Sequence, residues 1–332
     1  MNRQDSQPDI HAQNTHPEST GYVVLANQVI VRISGPGTDK FVQGQFSQHV
    51  DEVTANQSLR AAACNPKGRT YCLTRLVRDQ QDLLMDLDAG QAEATLNHLR
   101  KYLMLFRGTT MAIVASARIV GLLGEAAAIA GAGEEARSLN QVGQTLATDS
   151  GVLIRLEDTV LHTARYEWWQ LDGTPSLPDD LTELSMDHWH TASIRAGVPW
   201  LTPQSTEAYV PQMLNLQHLQ GVHFKKGCYT GQEIVARMHF LGQLKKSLFR
   251  LRFSGTDTAP ETGTRLLNEN KSVGEVVNAV ATGNQHGELL AVIRHDAQQG
   301  PFALEGDDKV TLELQVLPYP VPEREPTTLA DT

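Results

Sequence analysis

The chain has 332 residues, 40% of them hydrophobic, enough for two or three packed units with a real core. Its net charge of −10 argues against a dedicated nucleic-acid binder. Three unevenly spaced cysteines make neither a disulfide framework nor a zinc site, and reduced thiols fit a cytoplasmic protein.

Residues 1–20 are polar, carry Pro8 and Pro17, and lack the apolar stretch of a secretory signal and the arginine-rich face of a transit peptide; they read as a disordered tail. Residues 22–33 read as a strand, punctuated by Gly35-Pro36-Gly37, and a helix is expected over 38–48. Strands over 58–64 and 69–78 flank a turn at Asn65-Pro66-Lys67-Gly68, and 82–87 supplies another. In a simple hairpin Cys72 would face Ala61, so a bridge between Cys64 and Cys72 is not expected. Ala92, Leu96, Leu99, Leu103 and Phe106 form a helical stripe within 91–106. A second mixed unit is expected over 111–197, with an alanine-rich helix over 125–138 and another helix over 179–196. The most apolar region, 111–133, is interrupted by Arg118 and Glu125, so no membrane span is expected.

Past Leu244 the pattern changes. Phe249, Leu251 and Phe253 alternate with Leu248, Arg250 and Arg252, and Val310, Leu312, Leu314 and Val316 alternate with polar residues. Together with strands over 272–281 and 288–294, this reads as a small β-barrel. The expected class is α+β, with two mixed α/β lobes over 21–243, a C-terminal barrel over 244–319 and a disordered tail over 320–332.

The most informative segment is Lys225-Lys226-Gly227-Cys228-Tyr229-Thr230-Gly231-Gln232-Glu233. Thr230 and Glu233 have the spacing of a capping box, which would set Cys228 at the positive end of a helix. That dipole and the two lysines favour thiolate over thiol. Local chemistry leaves a reactive or ligating thiol and a buried structural cysteine both open. Residues 221–253 carry seven basic side chains against the single acid Glu233, so the remainder of the chain carries −16. Such a cationic island suits a polyglutamylated folate tail, a phosphate or an RNA backbone; its bland reading is a solvated surface.

The octapeptide Lys226-Gly227-Cys228-Tyr229-Thr230-Gly231-Gln232-Glu233 resembles the signature of the YgfZ family, folate-binding relatives of the glycine-cleavage T-protein. Supporting likenesses are Gln43-Gly44-Gln45, Ala196-Gly197-Val198-Pro199 and Val210-Pro211-Gln212-Met213-Leu214-Asn215-Leu216, so the resemblance runs from about residue 22 to Tyr319. It implies two mixed lobes and a barrel in a ring-like arrangement around a central folate cavity. It also implies a monomer that binds tetrahydrofolate or another folate and supports iron–sulfur enzymes or assembly factors, with a link to tRNA modification. On that resemblance Cys228 and Lys226 are the candidate catalytic residues. Gly227, Tyr229, Thr230, Gly231, Gln232 and Glu233 support the motif. Trp189, Gln28 and Arg195 fall at the folate-binding positions.

Departures from the T-protein pattern are equally specific. Tyr71-Cys72 stand where T-proteins carry an acidic pair, and Arg195 stands where they place a pterin-holding glutamate; an arginine cannot accept a hydrogen bond. Gln28 falls where some relatives use an aromatic. Trp189 suits stacking on a flat ring, its bland reading being a core tryptophan. His188, His190, His218, His223 and His239 show no metal-ligand spacing, so no metal is expected, although His223 or His239 could serve Cys228 as a proton partner. Gly131-Ala132-Gly133-Glu134-Glu135-Ala136 matches a dinucleotide fingerprint in letters but follows no strand. The leading expectation is a folate-dependent accessory protein for iron–sulfur enzymes acting through Cys228. The alternatives are a tetrahydrofolate-dependent aminomethyl-type transferase and a tRNA-binding docking module.

Overall fold

A computed structural model describes residues 18–172, 177, 181–242 and 244–322. Most of the two expected tails, and positions 179–180 of the expected helix 179–196, lie outside the described residues.

The apolar run at 22–33 is two strands, not one: β1 (Gly21–Val24) and β2 (Gln28–Ser34). A turn at Ala26-Asn27, closed by Gln28 N donating to Leu25 O at 3.0 Å, sends the halves into different sheets. Helix α1 (Thr38–Gln45) follows, then β3 (Leu59–Cys64), β4 (Thr70–Asp79), β5 (Asp82–Asp88), α2 (Ala89–Leu103) and β6 (Thr110–Ile113). The first sheet is antiparallel in the order β3-β4-β5-β2-β6. Ala92, Leu96 and Leu99 recur at helical spacing on α2 and pack with Phe41 and Val42 of α1 on one face of that sheet.

The second sheet draws on β7 (Arg118–Leu123), β8 (Thr145–Thr148), β9 (Gly151–Arg155) and β10 (Arg165–Gln170), in the order β1-β7-β10-β9-β8. It too is antiparallel. Between β7 and β8, α3 (Glu125–Ala132) stops at Gly133, whose φ of 91° suits only a residue without a side chain, so the expected helix 125–138 is broken there. Helix α4 (Met186–Arg195) precedes the long connection to α5 (Gln232–Phe240).

The two sheets share an apolar layer. Ile30, Val77 and Leu84 of the first meet Ile119, Ile154 and Trp169 of the second, with Trp189 and Ala192 of α4. Strand periodicity decides what else enters it. On β10, Tyr166 and Trp168 face α3, while the alternate positions Arg165, Glu167 and Trp169 turn towards the first sheet.

The C-terminal strands β11 (Lys246–Ser254), β12 (Arg265–Asn268), β13 (Lys271–Gly283), β14 (His286–Arg294), β15 (Phe302–Leu304) and β16 (Asp307–Gln315) close into a six-stranded barrel. Phe249, Leu251, Phe253, Leu289 and Ile293 fill it, while the alternating Leu248, Leu290 and Val292 pack outward on Ile194 and Tyr209. Glu288 fixes that junction, accepting from Arg195 Nε at 2.7 Å and Arg250 Nε at 2.9 Å. The molecule is thus α+β, with two antiparallel sheets and a barrel. No helix among the described residues is long and apolar enough to cross a membrane.

Candidate functional site

Two features carry the site residues: the loop that presents Cys228, and a cavity between the sheets. The loop is pinned to α1. Thr230 N donates to Gly44 O at 3.1 Å, and the buried Lys226 Nζ donates to Gln43 O at 2.7 Å and Phe46 O at 2.6 Å. The third face of that amine lies over the Tyr229 ring, 4.8 Å from its centroid. Burial lowers the Lys226 ammonium to about 7, since no carboxylate accompanies it. Lys226 is therefore the loop's anchor, with its charge turned into the protein, while Lys225, Gly227 and Cys228 are exposed.

The helix start corrects the expected capping box. The N-cap of α5 is Gly231 at φ 86°, and no side chain caps the helix. Glu233 is exposed, and Gln232 Nε2 donates to Lys226 O at 3.3 Å. A Cβ at Gly231 would lie 2.6 Å from Asn65 O and 2.9 Å from Cys64 Cβ, so glycine lets the Asn-Pro-Lys-Gly turn pack against the helix start. Gly231→Ala should therefore cost about 2 kcal/mol or more, through a left-handed residue and a backbone clash. Thr230→Ala should stay within about 0.5 kcal/mol, because no cap is lost. Urea unfolding of both variants checks the pair.

The segments that carried the resemblance converge around this loop. Gln212 Nε2 donates to Val235 O at 2.6 Å, Asn215 exchanges hydrogen bonds with Leu248 of the barrel, and Ala196, Val198 and Leu216 pack with Cys64 and Val235. His223 pairs with Glu52 at 3.1 Å, and His239 stacks on Phe224 with centroids 3.6 Å apart. Among the described residues no group of three or more histidine, cysteine or acidic side chains could hold a metal ion.

The cavity lies where polar residues enter the inter-sheet layer. Gln28, Arg60, Thr74 and Asp86 come from the first sheet, Arg165 and Glu167 from the second, and Trp189, His190 and Ser193 from α4. Trp200, stacked on His190 with centroids 4.5 Å apart, completes an aromatic side. Trp189 is largely core: its ring lies against Gly121, where a Cβ would come within 2.6 Å, and under the Arg165 guanidinium at 4.7 Å. Gln28 and Trp189 thus both line the cavity. Arg195 does not line the cavity; it is tied to Glu288 and to Glu18 at 3.2 Å. Neither Cys228 nor any other residue of its loop lines the cavity. The β3–β4 hairpin joins the two features, with Cys72 and Leu73 on the cavity and Asn65 and Gly68 against α5.

Internal charges are heavily paired. Arg60 makes a two-pronged contact with Glu157, both bonds 2.7 Å, and Arg75 reaches the same carboxylate at 3.4 Å. Burial opposes ionisation of Glu157, but the two guanidiniums outweigh it and hold the carboxyl well below the usual range. Asp86 and Glu167 are raised instead, by burial first and, for Glu167, by the Asp86 charge. Arg165 Nη2 donates to Ser193 Oγ at 2.7 Å, and burial lowers this guanidinium to about 10. Sequence reading missed Arg165, Glu167, Asp86 and Trp200. Charged residues alternating with Tyr166 and Trp168 inside a strand run were the available signal.

No family model matches the chain. Its structure is similar to the glycine cleavage system aminomethyltransferase T from Bartonella henselae, with a TM-score of 0.70 over 92% of this chain and 87% of that one, at 15% identity. The chain has the T-protein fold. The heterotetrameric sarcosine oxidase from Corynebacterium sp. U-96 overlaps 47% of this chain and 78% of its own at a TM-score of 0.30 and 10% identity. The T-protein likeness establishes architecture; the finer resemblance to one branch of that fold rests on the octapeptide.

Proposed function

We propose that this is a cytoplasmic, folate-dependent accessory protein that maintains iron–sulfur enzymes, tRNA-modifying ones among them, with Cys228 as its working group. The observation that carries the reading is the loop itself. It sits on a T-protein fold, and Lys226, Tyr229 and Gly231 hold its backbone in place while the thiol stays in solvent. A structural cysteine would be buried, as Cys64 and Cys72 are.

The lining of the cavity has chemistry suited to the flat head of a folate. It offers Trp200 and His190 as ring surfaces and two buried polar atoms without protein partners, Gln28 Oε1 and Arg165 Nε. A bound folate would supply one-carbon or reducing chemistry; Gln28, Arg165 and the aromatic side would hold it. A single exposed thiol cannot hold a cluster alone, which favours a transient role on client proteins.

A second reading, an aminomethyl-type transferase, is favoured by the similarity to a solved aminomethyltransferase and by a carboxyl, Asp86, in the cavity. The deciding experiment removes the gene, measures iron–sulfur enzyme activities and restores either the wild-type chain or Cys228→Ala. The proposal expects rescue by the wild type and none by an equally abundant Cys228→Ala. Full rescue by the variant would refute it, and folate-dependent aminomethyl transfer by the purified protein would select the second reading.

A further inference from the structure

The structure divides the cationic island around Cys228. Lys226 is turned inward and Arg250 is spent on Glu288, whereas Lys225, Arg237 and Lys245 are exposed. Among the described residues none of these three cations has a carboxylate partner. Glu233, Arg237 and Phe240 recur at helical spacing on the outer face of α5, Leu241 follows them, and Val235 faces the core. Phe240 is 59% exposed and Leu241 84%. A single exposed apolar residue is ordinary, but this pair coincides with three unpaired cations beside a free thiol. The loop brings the thiol alongside. Phe224 stacks on His239 with centroids 3.6 Å apart and meets Phe240 edge-on at 6.2 Å. The loop therefore begins against the last turn of α5 and ends at its first. Cys228 lies four residues from Phe224, at most about 14 Å of chain.

We propose that the outer face of α5 docks the client protein, with Phe240 and Leu241 as apolar anchor and Lys225, Arg237 and Lys245 as its cationic flank. The complementary client surface is an apolar contact bordered by carboxylates. An aromatic and an arginine beside an aliphatic side chain make the usual energetic centre of a protein–protein contact. RNA suits the face less well. An exposed leucine gains nothing on a phosphate backbone, and the rest of the chain carries −16 against a long polyanion. A second copy bears the same charges on the same face, so a two-fold pairing would set cation against cation. The inference rests on the proposed role of Cys228 and adds to it: docking on α5 delivers the client to the thiol.

Photo-crosslinking of the full chain, in cells that carry it in place of the deleted gene, tests this. Leu241→p-benzoylphenylalanine is the probe, and the same replacement of Met104, which is 79% exposed, is the control. The expected result is protein adducts at Leu241 whose captured peptides hold an apolar residue among several aspartates or glutamates. The control should capture none of those peptides. Arg237→Glu/Lys245→Glu should cut the adduct by about fivefold or more, while Cys228 alkylation and thermal melting stay as in the wild type. Adducts to RNA, to a second copy of the chain or to peptides without acids would each overturn the inference. So would no adduct, the same peptides at Met104, or a yield that ignores the charge reversal. Complementation separates the surface from the role of Cys228. Phe240→Ser/Leu241→Ser, its folding verified by thermal melting, should fail to restore iron–sulfur enzyme activities although its thiol alkylates normally. Full rescue by that variant beside failure of Cys228→Ala overturns the docking surface and leaves the function proposed above standing. Full rescue by Cys228→Ala removes that function, and the adducts still decide the surface.

Discussion

Glu157→Gln is expected to destabilise the protein by about 3–5 kcal/mol, because it leaves two buried guanidiniums, Arg60 and Arg75, without their shared counter-charge. The exposed pair Arg100–Glu93 provides the contrast, and Arg100→Ala should fall within about 0.5 kcal/mol. Acid denaturation carries the same signature. The folded-state value of Glu157 is depressed, so its contribution is complete above the ordinary carboxylate range and is lost as the pH falls through and below that range. The stability gap between wild type and Glu157→Gln should therefore narrow on acidification below about pH 4.5. A gap that is small at neutral pH, or constant down to pH 3, would show that the pair is not the buried unit described.

Lys226→Ala is expected to have a comparable effect by a different route. It strips the donor from two backbone carbonyls, Gln43 O and Phe46 O, and opens a void under Tyr229, for a cost of about 3 kcal/mol. The loop should also open locally before the whole chain unfolds, so trypsin should cut after the exposed Lys225 much faster than in the wild type. The pH dependence runs opposite to that of Glu157. The folded Lys226 titrates at about 7, below the 10.5 of a free lysine, so burying it is most costly below pH 7 and the cost is relieved as the pH rises from 7 to 10.5. Wild type should gain stability over Lys226→Met across that interval. An unchanged cleavage rate in Lys226→Ala would contradict the anchoring role.

The barrel was legible because its strands alternate cleanly: Phe249, Leu251 and Phe253 point inward, and the residues between them serve a second interface. The amphipathic stripe of α2 was legible for the same reason. The division between β1 and β2 was hidden because apolar residues run through the turn, and only Asn27 marks it. Alanine-rich composition concealed the stop at Gly133, where backbone conformation, not hydrophobicity, decides. The capping box matched in letters, but the packing of Asn65 and Gly68 against Gly231 claims the helix start for a bare backbone.

At the site, local motifs and long-range ones behaved differently. Cys228 and its glycines are contiguous, so their chemistry could be read directly. Asp86, Arg165, Glu167 and Trp200 come from distant points of the chain, and each alone reads as a polar strand position or a core aromatic. Only the stacking of two sheets with period-two strands, together with the segment that follows α4, assembles them. Arg195 shows the converse: a position matched by motif whose side chain is occupied by an ion pair to the barrel.

The most direct measurement is site-resolved alkylation of the native full-length chain with limiting iodoacetamide, read by peptide mass spectrometry. Burial pushes the Cys64 thiol up to about 12 and raises Cys72 as well, whereas Cys228 stands in solvent on an anchored loop. The expected result is modification of Cys228 alone, with Cys64 and Cys72 reacting only after denaturation. Protection of Cys228 in the native chain, or equal labelling of all three thiols, would contradict the assignment of Cys228 as the working group.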